Sequence, residues 1–160
     1  MMLDVALHRN LREFPLGVEF RVGKGETLVL IGENGSGKSS LLLLLSGLLP
    51  PDSGRIVLNG QVLFDSLNTV QVPVEERNIG IVFQNYAIFP HMTVFENVAF
   101  GLRRRKVPAS GIRSRVLEYL SLLSLESLSD VRANQLSGGE RQRTALARAL
   151  VIDPELLLLD

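Results

Sequence analysis

Apolar and polar residues alternate along Leu3-Asp4-Val5-Ala6-Leu7-His8-Arg9 and again along Leu16-Gly17-Val18-Glu19-Phe20-Arg21-Val22. Alternation with period two predicts strands with one buried face. Three shorter stretches, Thr27–Ile31, Ile79–Phe83 and Glu155–Asp160, are apolar almost throughout, which predicts strands buried on both faces. Arg55 to Phe64 reads as a hairpin, because Asn59-Gly60 supplies the residues a type I′ turn requires. Asp65 to Val74 has no period and reads as loop.

Other stretches carry helical spacing. Ser39 to Ser46 is a leucine-rich helix that should stop near Gly47, ahead of the turn Pro50-Pro51-Asp52-Ser53-Gly54. Thr93-Val94-Phe95-Glu96 is a capping box and predicts a helix to about Leu102. Ile112, Val116, Leu117, Leu120 and Leu123 recur at helical intervals. Glu140 to about Val151 forms a last helix, with Ala145, Leu146, Ala149 and Leu150 on one side. Together these elements predict one α/β domain over residues 1–160. It has a parallel core sheet, an antiparallel β part at the N-terminus and a helical subdomain inserted at 85–135.

Between the first apolar run and its helix lies Gly32-Glu33-Asn34-Gly35-Ser36-Gly37-Lys38-Ser39, which fits G-x-x-x-x-G-K-[ST] at each fixed position. Glycines let backbone N–H groups turn inward and approach a polyphosphate closely. The N–H nest and the positive end of the helix dipole then favour the anion. Lys38 would reach the β- and γ-phosphates and the Ser39 hydroxyl would ligate Mg²⁺. The phosphate-binding set is residues 32–39 together with Ser40. Phe14, between the first two strands, either fills the core or stacks on an adenine ring.

A second constellation is Leu136-Ser137-Gly138-Gly139-Glu140. Ser137 and Glu140 form a capping box, so a well-capped helix accounts for part of it. Two glycines in the first turn are poor helix formers, however. They make sense if another group approaches the backbone, so the tip reads as a second anion site.

Composition narrows the setting. The 160 residues are 46% apolar and 21% charged, so the chain is globular. Basic and acidic residues both number 17, which leaves no global field favouring nucleic acid. Cysteine is absent, which excludes disulfides and thiolate metal sites. The N-terminus lacks a signal pattern, and the uncharged stretch between Ser39 and Asp52 is too short and broken to span a bilayer. Any membrane role is therefore expected to come through a partner. His8 reads as a surface strand residue. The run Arg103-Arg104-Arg105-Lys106 reads as a solvated helix end, or as a contact to a partner or anionic lipid.

The loop Gly32–Ser39, Gln84 directly after a strand, Leu136–Glu140 followed by Arg141-Gln142-Arg143, and the apolar run ending in Asp160 occur in the order found in ABC transporter nucleotide-binding subunits, which the whole chain resembles. The resemblance implies a P-loop NTPase fold and two copies meeting head to tail, with ATP between one copy's loop and the other's Leu136–Glu140 segment. It implies that Gln84 touches Mg²⁺ or the attacking water and that Asp160 holds Mg²⁺. The catalytic set is then Lys38, Gln84 and Asp160, and the metal set Ser39, Gln84 and Asp160. Asn85–His91 would face an integral membrane permease, placing the chain at the cytoplasmic face of the membrane. The stretch from Val72-Pro73-Val74-Glu75-Glu76-Arg77 to Asn97 resembles importers. Phe14-x-Leu16 and Asn59-Gly60-Gln61-Val62-Leu63 resemble the molybdate/tungstate type. The family places a glutamate directly after the Asp160 position and a histidine later, so the chain is expected to be a truncated form. Efficient hydrolysis is not expected of it alone, and its apolar sheet edges should lower solubility. A soluble DNA-repair or translation ATPase, or a nucleotide-binding regulator without turnover, remain the alternatives.

Overall fold

The computed structural model describes residues 2–12 and 14–160. They fall into two compact units, divided between Arg77 and Asn78. The first unit is built on an antiparallel sheet. Strand β1 (Leu3–Asn10) pairs with β2 (Pro15–Val22), Leu3 opposite Val22 and Asn10 opposite Pro15. On its other edge β1 meets β3 (Ser53–Leu58), which continues to β4 (Gln61–Asp65) and the two-residue β5 (Val70–Gln71), giving the order β2-β1-β3-β4-β5. The alternation in the sequence is realised directly: Leu3, Val5 and Leu7 are buried, while Ala6 and His8 are exposed.

Turn chemistry fixes this sheet. Asn59 and Gly60 have φ of 48° and 84°, as a type I′ turn requires. Gly54, at φ 112°, lies so close to β1 that a Cβ would stand 2.0 Å from the Ala6 carbonyl oxygen. Helix α1 (Lys38–Ser46) buries Leu41, Leu42, Leu44 and Leu45 and ends on Gly47 at φ 86°, a left-handed C-cap. The Arg77 guanidinium, buried and lowered in pKa by that burial, closes this end. It donates to the carbonyls of Leu45 at 2.9 Å, Val72 at 3.0 Å and Leu63 at 3.4 Å. The stretch expected as plain loop from Asp65 to Val74 contains β5. Asp65 organises its turn by accepting from Leu67 N, Asn68 N and Asn68 Nδ2. A two-residue strand is too short to show a period.

One expected strand is absent. Thr27–Ile31 forms no ladder, and Leu28, Val29 and Ile31 are 50%, 70% and 92% exposed. The apolar pattern encodes fitness for a sheet interior, but a strand also needs a neighbour to take its N–H and C=O groups. Among the described residues none pairs with this segment.

The second unit carries a parallel pair, β6 (Ile79–Val82) and β7 (Leu156–Leu159), in register from Ile79 opposite Leu156 to Val82 opposite Leu159. Helices α2 (Val94–Arg104), α3 (Ala109–Leu122) and α4 (Gly138–Leu150) supply the rest. Val94, Val98 and Leu102 of α2 meet Ile112, Val116 and Leu120 of α3 and Ala147 of α4 in one core. Gly80 lets α4 lie directly on β6, since a Cβ there would stand 2.7 Å from the Ala149 carbonyl oxygen. The capping box at Thr93 forms as expected, with Glu96 N donating to Thr93 Oγ1 and Thr93 N to Glu96 Oε2. The helices begin at Val94, so residues 85–93 are connecting chain rather than helix. No helix among the described residues is long and apolar enough to cross a membrane.

Candidate functional site

In the first unit, the loop after Ile31 folds as its glycines dictate. Gly35 and Gly37 have φ of 81° and 91°, values L-residues rarely adopt, and Gly37 is the N-cap of α1 without any side-chain cap. A Cβ at Gly32 would meet Ser36 Oγ at 2.9 Å. The first intrahelical bond is donated by Leu41 to Gly37, at 2.8 Å. The amides of the first turn thus have no intrahelical acceptor and form an anion-favouring tip. Residues 32–36 are exposed.

Lys38 folds back over this loop. Its ammonium donates to the carbonyls of Glu33 at 2.7 Å and Gly32 at 3.0 Å, with Ser36 Oγ at 3.4 Å. The cation is thereby fixed at the mouth of the glycine loop. Phe14 is placed beside it: a Cβ on Gly37 would lie 3.4 Å from Phe14 Cζ. The ring is half-buried against the loop.

The second unit holds the remaining residues. Gln84 follows β6 by two positions and Asp160 follows β7 by one. Parallel pairing brings both to the same end of the two strands, where Asp160 N donates to Val82 O at 3.0 Å. Both are exposed. The carboxyl ends of parallel strands are the usual ligand-facing edge of an α/β sheet.

At the other tip, Ser137 caps α4. Its amide and hydroxyl both donate to Glu140 Oε2, each at 2.7 Å, and Glu140 N returns a bond to Ser137 Oγ at 3.4 Å. These bonds hold the Glu140 carboxyl below its ordinary pKa. Leu136 is buried and anchors the tip, while Ser137, Gly138 and Gly139 are exposed. A Cβ at Gly138 would meet nothing within 4 Å, and one at Gly139 only Arg143 Nη1 at 3.7 Å.

Two residues that the motifs do not mark shape the chain after Gln84. Tyr86 and Ala87 have φ of 62° and 46°, two consecutive non-glycine residues in the left-handed region. Each such residue costs about 1–3 kcal/mol and persists only where its surroundings hold it. Arg148 of α4 donates to Ala87 O at 2.8 Å and Tyr86 O at 3.0 Å. Further on, Asn97, fully buried, accepts from Phe89 N at 2.8 Å and donates to Phe89 O at 3.1 Å and Thr93 O at 2.9 Å. The only sequence signal was a polar residue on the apolar side of α2, which by itself points to no partner.

The oxygen donors Ser39, Gln84 and Asp160 are hard ligands suited to Mg²⁺, which prefers one or two carboxylates plus phosphate oxygens. Among the described residues there is no group of three or more His, Cys, Asp or Glu able to hold a metal.

The family model described as ABC transporter matches residues 16–160. The chain is 50% identical over 139 residues to the spermidine/putrescine import ATP-binding protein PotA of Aggregatibacter actinomycetemcomitans, covering 87% of this chain and 36% of that protein. It is 46% identical over 161 residues to the molybdate/tungstate import ATP-binding protein WtpC of Thermococcus kodakarensis, covering 100% and 47%. The chain thus spans less than half the length of these relatives. Among solved structures, cbiO1 of Clostridium perfringens, described as part of the ABC transporter complex cbiONQ, superposes with a TM-score of 0.81 at 33% identity, over 99% of this chain and 64% of that one.

Proposed function

Because the chain belongs to the ABC transporter family, we propose that it is the ATP-binding part of an importer subunit that couples ATP binding and hydrolysis to solute uptake. The observation that carries this reading is the pair of glycine-lined helix tips, half-buried at Gly37–Lys38 beside the exposed loop 32–36 and exposed at Ser137–Gly139, in a chain with one nucleotide loop. Packing among the described residues requires neither glycine of the second tip, since a Cβ on Gly138 would reach open space and one on Gly139 would make only ordinary contact with Arg143. A second copy supplying the triphosphate gives them a purpose.

In this reading the α1 tip and Lys38 neutralise the β- and γ-phosphates, and Phe14 stacks on the base. Mg²⁺ would supply positive charge to offset that developing on the phosphates. Ser39, Gln84 and Asp160 would hold it, with Gln84 also orienting the attacking water. The partner's Ser137 hydroxyl and the bare amides behind it close over the γ-phosphate from the far side. Asn85–His91 presents Phe89 and His91, whose ring centroids lie 6.4 Å apart, to a membrane-embedded permease, so the protein sits peripherally at the cytoplasmic face.

The solute is read less directly. One relative is named for a polyamine importer and another for an oxyanion importer, and both are about half identical to this chain. That pattern fits a motor region whose solute is chosen by other subunits. Phe14-x-Leu16 and the Asn59–Leu63 hairpin support molybdate, tungstate or a similar small anion.

The test is equilibrium ATP binding to the full-length protein and its Lys38→Ala variant. Losing a charge-assisted contact of about 1.5–3 kcal/mol should weaken MgATP binding about 10- to 100-fold. Unchanged affinity would remove the loop assignment.

A further inference from the structure

Arg148 is half-buried on α4, and among the described residues no carboxylate lies within ion-pair distance of it. A desolvated guanidinium without a counter-ion needs other compensation. It finds this in the carbonyls of Tyr86 and Ala87 and in the Phe89 ring, whose centroid lies 5.5 Å from its Cζ. Both carbonyls belong to the two consecutive left-handed residues. Their amides are used locally, Tyr86 N donating to Phe83 O and Ala87 N to Asn85 O, each at 2.8 Å. The bend thus directs two successive carbonyls to one planar fork, a geometry an ammonium cannot reproduce.

The rest of the loop is pinned by packing. Tyr86 and Ile88 lie against Val82, Ala145 and Ala149, and Asn97 holds Phe89 on its far side. Arg148 is therefore the polar clamp on a bend that would otherwise relax to negative φ.

We propose that Arg148 is a positioning residue: by clamping the Tyr86–Ala87 bend to α4, it sets where Gln84 and the segment Asn85–His91 sit. Arg148 lies about 16 Å along the helix from the Ser137 tip. A shift of that tip on meeting the partner's triphosphate is carried along a rigid rod to the clamp, and from the clamp to the loop after Gln84. The consequence for transport rests on the function proposed above; the clamp itself does not.

Hydrogen exchange of the full-length protein without nucleotide tests the clamp. Arg148→Met, which keeps the aliphatic volume, should speed exchange of the Tyr86 and Ala87 amides at least tenfold, leaving β1 and α1 unchanged. Arg148→Lys should behave like Met. Adding Ala87→Gly to Arg148→Met should slow exchange again several-fold, because glycine adopts positive φ without strain. A merely structural arginine would give no such rescue. Unchanged exchange in Arg148→Met, or acceleration throughout α4 that Ala87→Gly does not reverse, overturns the proposal. MgATP binding, measured on the same wild-type sample, tests the function separately: its absence would remove the transporter reading while the exchange result still decides the clamp.

Discussion

The two helix tips are alike in sequence character and opposite in construction. At α1 the glycines are required by the loop itself: Gly35 and Gly37 stand at positive φ, Gly32 is crowded by Ser36, and Lys38 is fastened to the loop carbonyls. At α4 the tip is held by side chains, the reciprocal bonds of Ser137 and Glu140, and its glycines stand in ordinary helical backbone facing open space. One tip is shaped from within its own chain. The other, in the function proposed above, is shaped for something that approaches from outside. Substitution at the two kinds of glycine should therefore have opposite effects on stability.

The largest difference is expected at Gly37. Gly37→Ala places a Cβ in a left-handed residue, 3.4 Å from Phe14 and Leu16, and should cost about 1–3 kcal/mol in denaturant unfolding as well as nucleotide affinity. Gly138→Ala should do the reverse to the fold. Its Cβ meets nothing, and alanine is the better helix former, so the protein should gain from a few tenths to about 1 kcal/mol in the same unfolding measurement. Nucleotide-driven association of the full-length protein should nonetheless weaken. Equal destabilisation by both substitutions would erase the distinction between the tips.

The smallest effect is the share of the pH dependence that comes from the α4 tip. The Ser137 bonds hold Glu140 below its ordinary pKa of 4.5. A depressed carboxyl stabilises the fold above its unfolded pKa and loses that contribution as pH falls through the folded value. Stability should thus show an extra decline below pH 4.5 that Glu140→Gln removes. The Lys38–loop contacts, by contrast, involve carbonyls and a hydroxyl and no carboxylate. An identical acid profile for wild type and Glu140→Gln would contradict the capping-box account.

This contrast also explains what the sequence disclosed. The α1 loop was legible because the glycines it needs are fixed by local dihedrals, as was the Asn59-Gly60 turn. The α4 tip was legible through its capping box and through glycines that propensity does not favour. Thr27–Ile31 misled because an apolar run specifies the environment a segment suits, not the strand that will pair with it. Arg148 and Asn97 were invisible for a different reason. Their work lies in backbone carbonyls and amides of a distant segment, which leave no trace in residue type. Gln84 and Asp160 were placed by resemblance, and the β6–β7 register puts them at one edge of the same parallel pair.

The central claim is that the α1 loop of one copy and the α4 tip of another clasp one triphosphate. Mixing two full-length variants tests it directly by sedimentation with MgATP: Lys38→Ala, with a damaged loop and an intact tip, and Ser137→Arg, with an intact loop and a blocked tip. Neither should associate alone. Their mixture should, because one of its two composite sites combines an intact loop with an intact tip. A mixture that stays monomeric while wild type associates, or a Ser137→Arg protein that associates normally alone, would contradict the account.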